Sequence, residues 1–240
     1  MANPLDAIRL VNLSHVLDPG AVSIFPGDPP YELDTIATIE NDGFFLQKIS
    51  CGEHTGTHWG APSHFNAGLA SADQLDAGDL LLPAIKIDIR EQAQHDPDYA
   101  LTVHDLLEWE NTYGPIPEQC AVILWTGWDQ RWGTPQYYNF DEQLIMHHPG
   151  FSIESVQWLI EHKKIGYRGA LGTDTFSPDI AIDDTYAVSK LLYREHRISL
   201  EILANLSKIP HRDFHILAGG ATHKNGSGSP ANIYALSTST

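Results

Sequence analysis

The densest chemistry in this chain runs from His54 to His64, as His54-Thr55-Gly56-Thr57-His58-Trp59-Gly60-Ala61-Pro62-Ser63-His64. Three imidazoles fall in that one stretch, spaced by four residues and then by six. Imidazole is the commonest protein metal ligand and the commonest acid/base group near neutral pH. On a helix, His54 and His58 would share one face. Gly56 and Gly60 argue against one regular helix and let the backbone bend so that the rings converge. His64 lies past the rigid Ala61-Pro62 pair, placed as a general base or as a group that supports the other two. Spacing alone leaves two readings open: a prepared metal or acid/base site, or ordinary polar residues of a loop. A first-row metal such as Zn or Mn accepts neutral imidazole and carboxylate, and a catalytic metal keeps one position open for water.

These side chains need a framework. Leu10 to Ser14 reads as an opening strand, and Phe44 to Ser50 as a strand leading into the histidines. Pro26-Gly27-Asp28-Pro29-Pro30 is a rigid turn, because proline fixes φ and glycine supplies the bend. Ile85 to Ile89 alternates with period two, the pattern of a half-buried strand. Thr102 opens a helix with Asp105 as a near capping box, Leu106, Leu107 and Trp109 as its apolar positions and Gly114-Pro115 as its stop. Val122 to Trp125 is a continuous apolar run, expected to be a fully buried strand. Ser152 caps a second helix, with Ile153, Val156, Leu159 and Ile160 on one face and Gly166 as its stop. Ala170 to Gly172 ends a short strand, Tyr186 to Tyr193 is a helical turn or two, and Phe214 to Ala218 and Asn232 to Leu236 are late strands. Gly219-Gly220 and Gly226-Ser227-Gly228 match no phosphate-loop spacing and read as a flexible hairpin connection. Strands and helices are mixed without a boundary, which predicts one α/β domain over residues 1–240.

Composition excludes several classes. The net charge of −17, from 14 basic and 31 acidic residues, lacks the basic footprint that nucleic acids and anionic membranes require. No run approaches the length of a membrane span, and Met1 to Asp6 shows no signal-peptide pattern. Cys51 and Cys120 form no Cys-x-x-Cys pair, so a reducing cytoplasm is the default setting. Cys51, three residues before His54, is a further donor candidate, although buried structural cysteine is the commoner outcome. Ser237 to Thr240 reads as a frayed polar tail.

The histidine segment resembles the signature of the cyclase family of metal-dependent hydrolases, the group of kynurenine formamidase and isatin hydrolase, whose usual form is His-x-Gly-Thr-His-x-Asp-Ala-Pro-x-His. The match holds at His54, Gly56, Thr57, His58, Ala61, Pro62 and His64. It continues in order through Pro26 to Pro30, Thr126-Gly127-Trp128, His148-Pro149-Gly150, Gly172 to Asp179, Glu201 to Leu206 and Gly228-Ser229-Pro230. The resemblance implies a single domain of swivelling β/α layers, assembled as a homodimer or higher homo-oligomer. It implies His54, His58 and Glu201 as metal ligands and His64 as the catalytic acid/base. The implied reaction is hydrolysis of a small amide, formamide, lactam or lactone by water activated on one divalent Zn or Mn. Two positions depart from the pattern. Gly60 stands where the family has an aspartate ligand, and Ser189, twelve before Glu201, stands where it has a later histidine. The losses argue against a two-metal site and open an alternative: a metal-free lyase, isomerase or cyclase, or a non-catalytic ligand-binding protein. Asp174 reads as a turn or capping residue, His147, His148 and His223 as lesser polar candidates, and Trp59 and Phe65 as core residues or pocket walls.

Overall fold

A computed structural model describes residues 7–238. Met1 to Asp6, and Ser239 and Thr240 of the expected tail, lie outside the described residues. The chain begins with β1 (Ile8–Asn12) and an arm made of β2 (Glu32–Ala37), α1 (Ile39–Asp42) and β3 (Leu46–Ser50). It continues through β4 (His58–Gly60), β5 (Leu81–Asp88), α2 (Arg90–His95), β6 (Ala100–Leu101), α3 (Val103–Tyr113) and β7 (Ala121–Trp125). Next come β8 (Gly150–Phe151), α4 (Ile153–Glu161), β9 (Arg168–Thr173), α5 (Ala187–Leu192) and β10 (His196–Glu201). The chain closes with β11 (Phe214–Ala218), β12 (Gly228–Pro230) and β13 (Ile233–Thr238).

Nine strands form one sheet in the order β1-β13-β11-β5-β7-β9-β10-β4-β12. The central four, β5, β7, β9 and β10, run parallel, and both flanks are antiparallel. Parallel neighbours need a crossover, and helices supply it between β5 and β7, β7 and β9, and β9 and β10. β7 shows how the core divides. Successive strand residues point to opposite faces. Ala121, Ile123 and Trp125 therefore enter one cluster with Trp59, Leu200, Ile216 and Ala235, where the sheet curls over itself. Val122 and Leu124 enter the other, beneath Leu106 and Trp109 of α3, Val156 and Leu159 of α4, and Leu192 of α5.

Local signals hold at the helix starts. The Thr102 hydroxyl accepts from Asp105 N at 3.2 Å while the Asp105 carboxylate accepts from Thr102 N at 2.7 Å, completing a capping box. Ser152 accepts from Ser155 N at the head of α4. Four expectations are corrected. β5 is not half-buried: it is a central strand, and even Lys86 is buried, donating to the Leu206 and Ile209 carbonyls at 2.9 and 2.7 Å. Leu107 is exposed on α3. α4 ends at Glu161, before Gly166, where the chain turns through Lys163 at φ 57°. Ser237 and Thr238 are not a tail but the end of β13, paired with β1.

Candidate active site

Strand register builds the site. β4 runs antiparallel to β10 with Glu201 opposite His58, Leu200 opposite Trp59 and Ser199 opposite Gly60. Trp59 and Leu200 turn into the curled core. By the period of two, His58, Gly60, Ser199 and Glu201 share the other face. Glu201 is the last residue of β10, at the carboxyl end of the parallel strands, where open α/β sheets bind their ligands. The next residue, Ile202, carries φ 57°, a strained conformation for a β-branched side chain that costs about 1–3 kcal/mol. Two bonds hold it: Ile202 N donates to the Thr175 carbonyl at 3.1 Å, and the Thr57 hydroxyl donates to the Ile202 carbonyl at 2.6 Å. The strand that delivers Glu201 is thus pinned to the histidine loop.

The loop preceding β4 turns at Gly56, which has φ 63° and where a Cβ would collide with Leu17. That turn brings the Gly56 carbonyl 2.8 Å from His58 Nδ1. A carbonyl only accepts, so Nδ1 carries the proton and Nε2 points inward. His58 Nε2 is buried, without a hydrogen bond of good geometry, and lies 3.3 Å from Glu201 Oε2. Burial opposes charge on His58, yet the neighbouring Glu201 carboxylate and the Gly56 carbonyl hold its pKa above the ordinary histidine value. Burial likewise opposes charge on Glu201, and His58 more than reverses it, leaving Glu201 below the usual carboxylate range. Both shifts favour a charged pair.

His54 is fixed differently. The Ser227 hydroxyl gives its proton to Glu53 Oε2 at 2.7 Å, so it accepts from His54 Nε2 at 2.9 Å. Ser227 N also donates to Glu53, at 2.8 Å. Burial, then the nearby His58 and His64, lower the His54 pKa to about 2. His64 stacks on His54 with ring centroids 3.9 Å apart, and His54 meets His58 edge-on at 4.9 Å. Burial also lowers His64, which leaves it a neutral base near pH 7.

These groups open onto a cleft of about 310 Å³. His54, His58, His64 and Glu201 line it together with Asp28, Ser189 and the apolar walls Phe25, Phe65, Phe176, Tyr186 and Ile202. The structure therefore brings together all four site residues read from sequence. Burial raises the Asp28 pKa, partly offset by His58 and His64. Sequence reading treated the Pro26–Pro30 turn as a bend and missed Asp28; the rigidity of that turn was the available signal. It also missed Ser227. Gly226 to Gly228 is not a flexible connection, because Gly228 to Pro230 forms the edge strand against His58 to Gly60. Trp59 is core, not pocket wall, with its indole donating to the Gly219 carbonyl at 3.0 Å. Asp174 is structural: it accepts from Thr126 N at 2.9 Å and from the Thr126 hydroxyl at 2.8 Å. His147 lies outside the cleft, between Asp98 and Asp141.

The curled α/β sheet and the histidine cleft agree with a match of the Cyclase family model to residues 11–180. The chain belongs to that family. An isatin hydrolase of Roseibium aggregatum is 29% identical over 242 residues, 95% of this chain and 92% of the relative. The structure of isatin hydrolase A from Labrenzia aggregata bound to benzyl benzoate is 30% identical. It covers 98% of this chain and 96% of its own, with a TM-score of 0.89. An isatin hydrolase bound to the product analogue thioisatinate is 28% identical over 98% and 94% of the two chains, with a TM-score of 0.88.

The divalent metal implied by the resemblance can be tested against the donors present. His58 Nε2 and Glu201 Oε2 converge, and the orphaned nitrogen is of the right kind. The third and fourth family positions supply no donor, since Gly60 has no side chain and Ser189 carries a hydroxyl that donates to Asp179. His54 Nε2 is committed to Ser227. Among the described residues no group of three His, Cys, Asp or Glu side chains is arranged to hold a metal ion. The donor set does not fit the family's metal.

Proposed function

We propose that this chain hydrolyses a C–N bond in a small amide, formamide or lactam carried on a flat or aromatic ring, with a lactone as the related ester substrate. The observation that carries the reading is the cleft itself, where three imidazoles and two carboxylates face Phe25, Phe65, Phe176 and Tyr186. Its likeness to isatin hydrolases over nearly the whole chain supports the reaction class. Small-ligand pockets combine apolar walls with a few convergent polar groups in this way.

Neutral His64 takes a proton from water as the water oxygen bonds to the substrate carbonyl carbon. When the tetrahedral adduct collapses, the C–N bond breaks and the same proton passes to the nitrogen, giving a carboxylic acid and an amine. The Ser227–Glu53 chain holds the His54 ring against which His64 stacks. General acid/base groups contribute about 10²–10⁴-fold, so His64→Gln is expected to lower kcat on a ring-opening aryl lactam by at least about 100-fold. The assay follows the change in ultraviolet absorbance as the ring opens. Turnover by His64→Gln at the wild-type rate refutes the role, and no turnover by wild type on lactams, formamides and lactones refutes the reaction.

Gly60 and Ser189 favour a second reading, a lyase, isomerase, cyclase or non-catalytic binder of the same ligand class. Calorimetric binding of a lactam without turnover distinguishes it. In either reading the partner is a small molecule. We also infer a homodimer or higher homo-oligomer, supported by the arm formed by β2, α1 and β3, which exposes Ile36, Ile39, Phe44, Phe45 and Ile49. A cytoplasmic setting is supported by the free thiols of Cys51 and Cys120. No helix among the described residues is long and apolar enough to cross a membrane.

A further inference from the structure

We propose that the inner face of α5 and its cap closes the metal site of this chain, so that the cleft handles its ligand without a bound divalent cation. The inference concerns the cleft assigned above, but it is tested by metal binding and not by turnover.

Two observations carry it. The first is at Gly60. A Cβ built there would collide with the Tyr193 hydroxyl and lie 2.8 Å from Ser199 Oγ and 3.2 Å from Tyr193 Cζ. The Tyr193 hydroxyl donates to Ser199 Oγ at 2.7 Å, and Gly60 N donates to the same oxygen at 3.2 Å. Tyr193 and Ser199 are fully buried. The space an aspartate would need is thus filled by a neutral, hydrogen-bonded pair.

The second is at Ser189, which sits one helical turn before Tyr193, so that both side chains face the sheet from α5 and its C-cap. The Ser189 hydroxyl donates to Asp179 Oδ2, which also accepts from Ser177 Oγ at 3.2 Å. Asp179 Oδ1 accepts from Val188 N at 2.8 Å and Ser189 N at 3.3 Å. That carboxylate is consumed in anchoring the start of α5. One helix face therefore accounts for both departures from the family pattern: Ser189 replaces a donor, and Tyr193 occupies the room beside the other lost one. Restoring the carboxylate alone cannot rebuild the site, because Tyr193 stands in its way.

The test uses full-length protein stripped with a chelator, then melted and titrated calorimetrically with ZnCl2 or MnCl2. A metal at a hundredfold its Kd raises Tm by about 5–10 °C for a chain of this size. Wild type is expected to show no saturable binding in the cleft. Any heat or shift that persists unchanged in His58→Ala belongs to surface histidines and agrees with the proposal. Gly60→Asp alone should stay blind to both metals, whereas Gly60→Asp/Ser189→His/Tyr193→Ala should gain a saturable site. One equivalent bound by wild type and lost in His58→Ala overturns the proposal. So does metal binding by Gly60→Asp alone, or a folded triple variant that stays blind. The wild-type titration decides even where the triple variant fails to fold. Failure of hydrolysis, measured separately, leaves this inference standing.

Discussion

Gly60→Ala is a change of one methyl group, and the structure makes it expensive. Gly60 lies outside the left-handed backbone region, so alanine there meets side chains and no added backbone strain. The new Cβ displaces the Tyr193 hydroxyl and presses on Ser199 Oγ at 2.8 Å. The phenol has nowhere to retreat, since it is fully buried and stacked on Phe65 with centroids 5.9 Å apart. Overpacking costs about 1–3 kcal/mol. Parting Tyr193 from Ser199 strands the buried phenol hydroxyl for about 1–3 kcal/mol more. The expected loss is about 4 kcal/mol. Tyr193→Phe alone removes one hydrogen bond and should cost about 1 kcal/mol. The double variant has no hydroxyl in the way, the nearest ring atom is Cζ at 3.2 Å, and Ser199 can rotate. It should therefore lose only about 2 kcal/mol, less than Gly60→Ala by itself. Urea unfolding of the four proteins measures the cycle, provided the m-values agree. Additivity within about 0.5 kcal/mol, or a Gly60→Ala loss below about 0.5 kcal/mol, refutes the packing argument.

Burial raises the Asp174 pKa to about 6, above its value in the unfolded chain. The native state then holds that proton more tightly, so stability falls as pH rises from about 4 to about 6 and stays lower above it. Asp174→Asn should remove up to about 3 kcal/mol of this slope, read as a flatter pH profile of urea stability, and parallel profiles refute it. Phe44 and Phe45 are more than half exposed on the arm, at 56% and 58%. Phe44→Glu/Phe45→Glu should reduce the sedimentation mass to a single chain, and an unchanged oligomeric mass in the double variant refutes the arm as the interface.

Much of this was legible in the sequence because the signals were local. Thr102 with Asp105, Ser152, and the apolar runs of β7 and β11 each announce an element within a few residues, and the structure keeps them. The periodicity of Ile85 to Ile89 misled because period two reports which residues share a face, not whether the second face is also covered. Here α3 covers one face of β5 and the curled sheet the other. The approach of His54, His58 and His64 was legible as a glycine-bent cluster. Glu201 came only with the family resemblance, since its place opposite His58 is a matter of strand pairing across 143 residues. Ser227 was missed for the same reason: it reaches the site through its bonds to His54 and Glu53, 173 and 174 residues away in the chain.

Gly60 shows where reading a motif stops and packing begins. From sequence it is a missing carboxylate, and a missing side chain in a buried strand is a volume to be accounted for. Protein interiors are packed as densely as organic crystals, and an empty space beside a strand costs in proportion to its size. Some neighbour must therefore move in, and whatever moves in decides whether the loss is reversible. A small apolar neighbour would leave a site that regains its ligand with one substitution. Tyr193 does not, because its hydroxyl is bonded to Ser199 opposite Gly60 and its ring is held by α5, whose previous turn carries Ser189. The two departures from the family pattern, Gly60 on β4 and Ser189 on α5, therefore meet at one face of one helix. The His58–Glu201 pair beside them is buried and held by strand register, facing a cleft that sets aromatic walls against imidazoles and carboxylates.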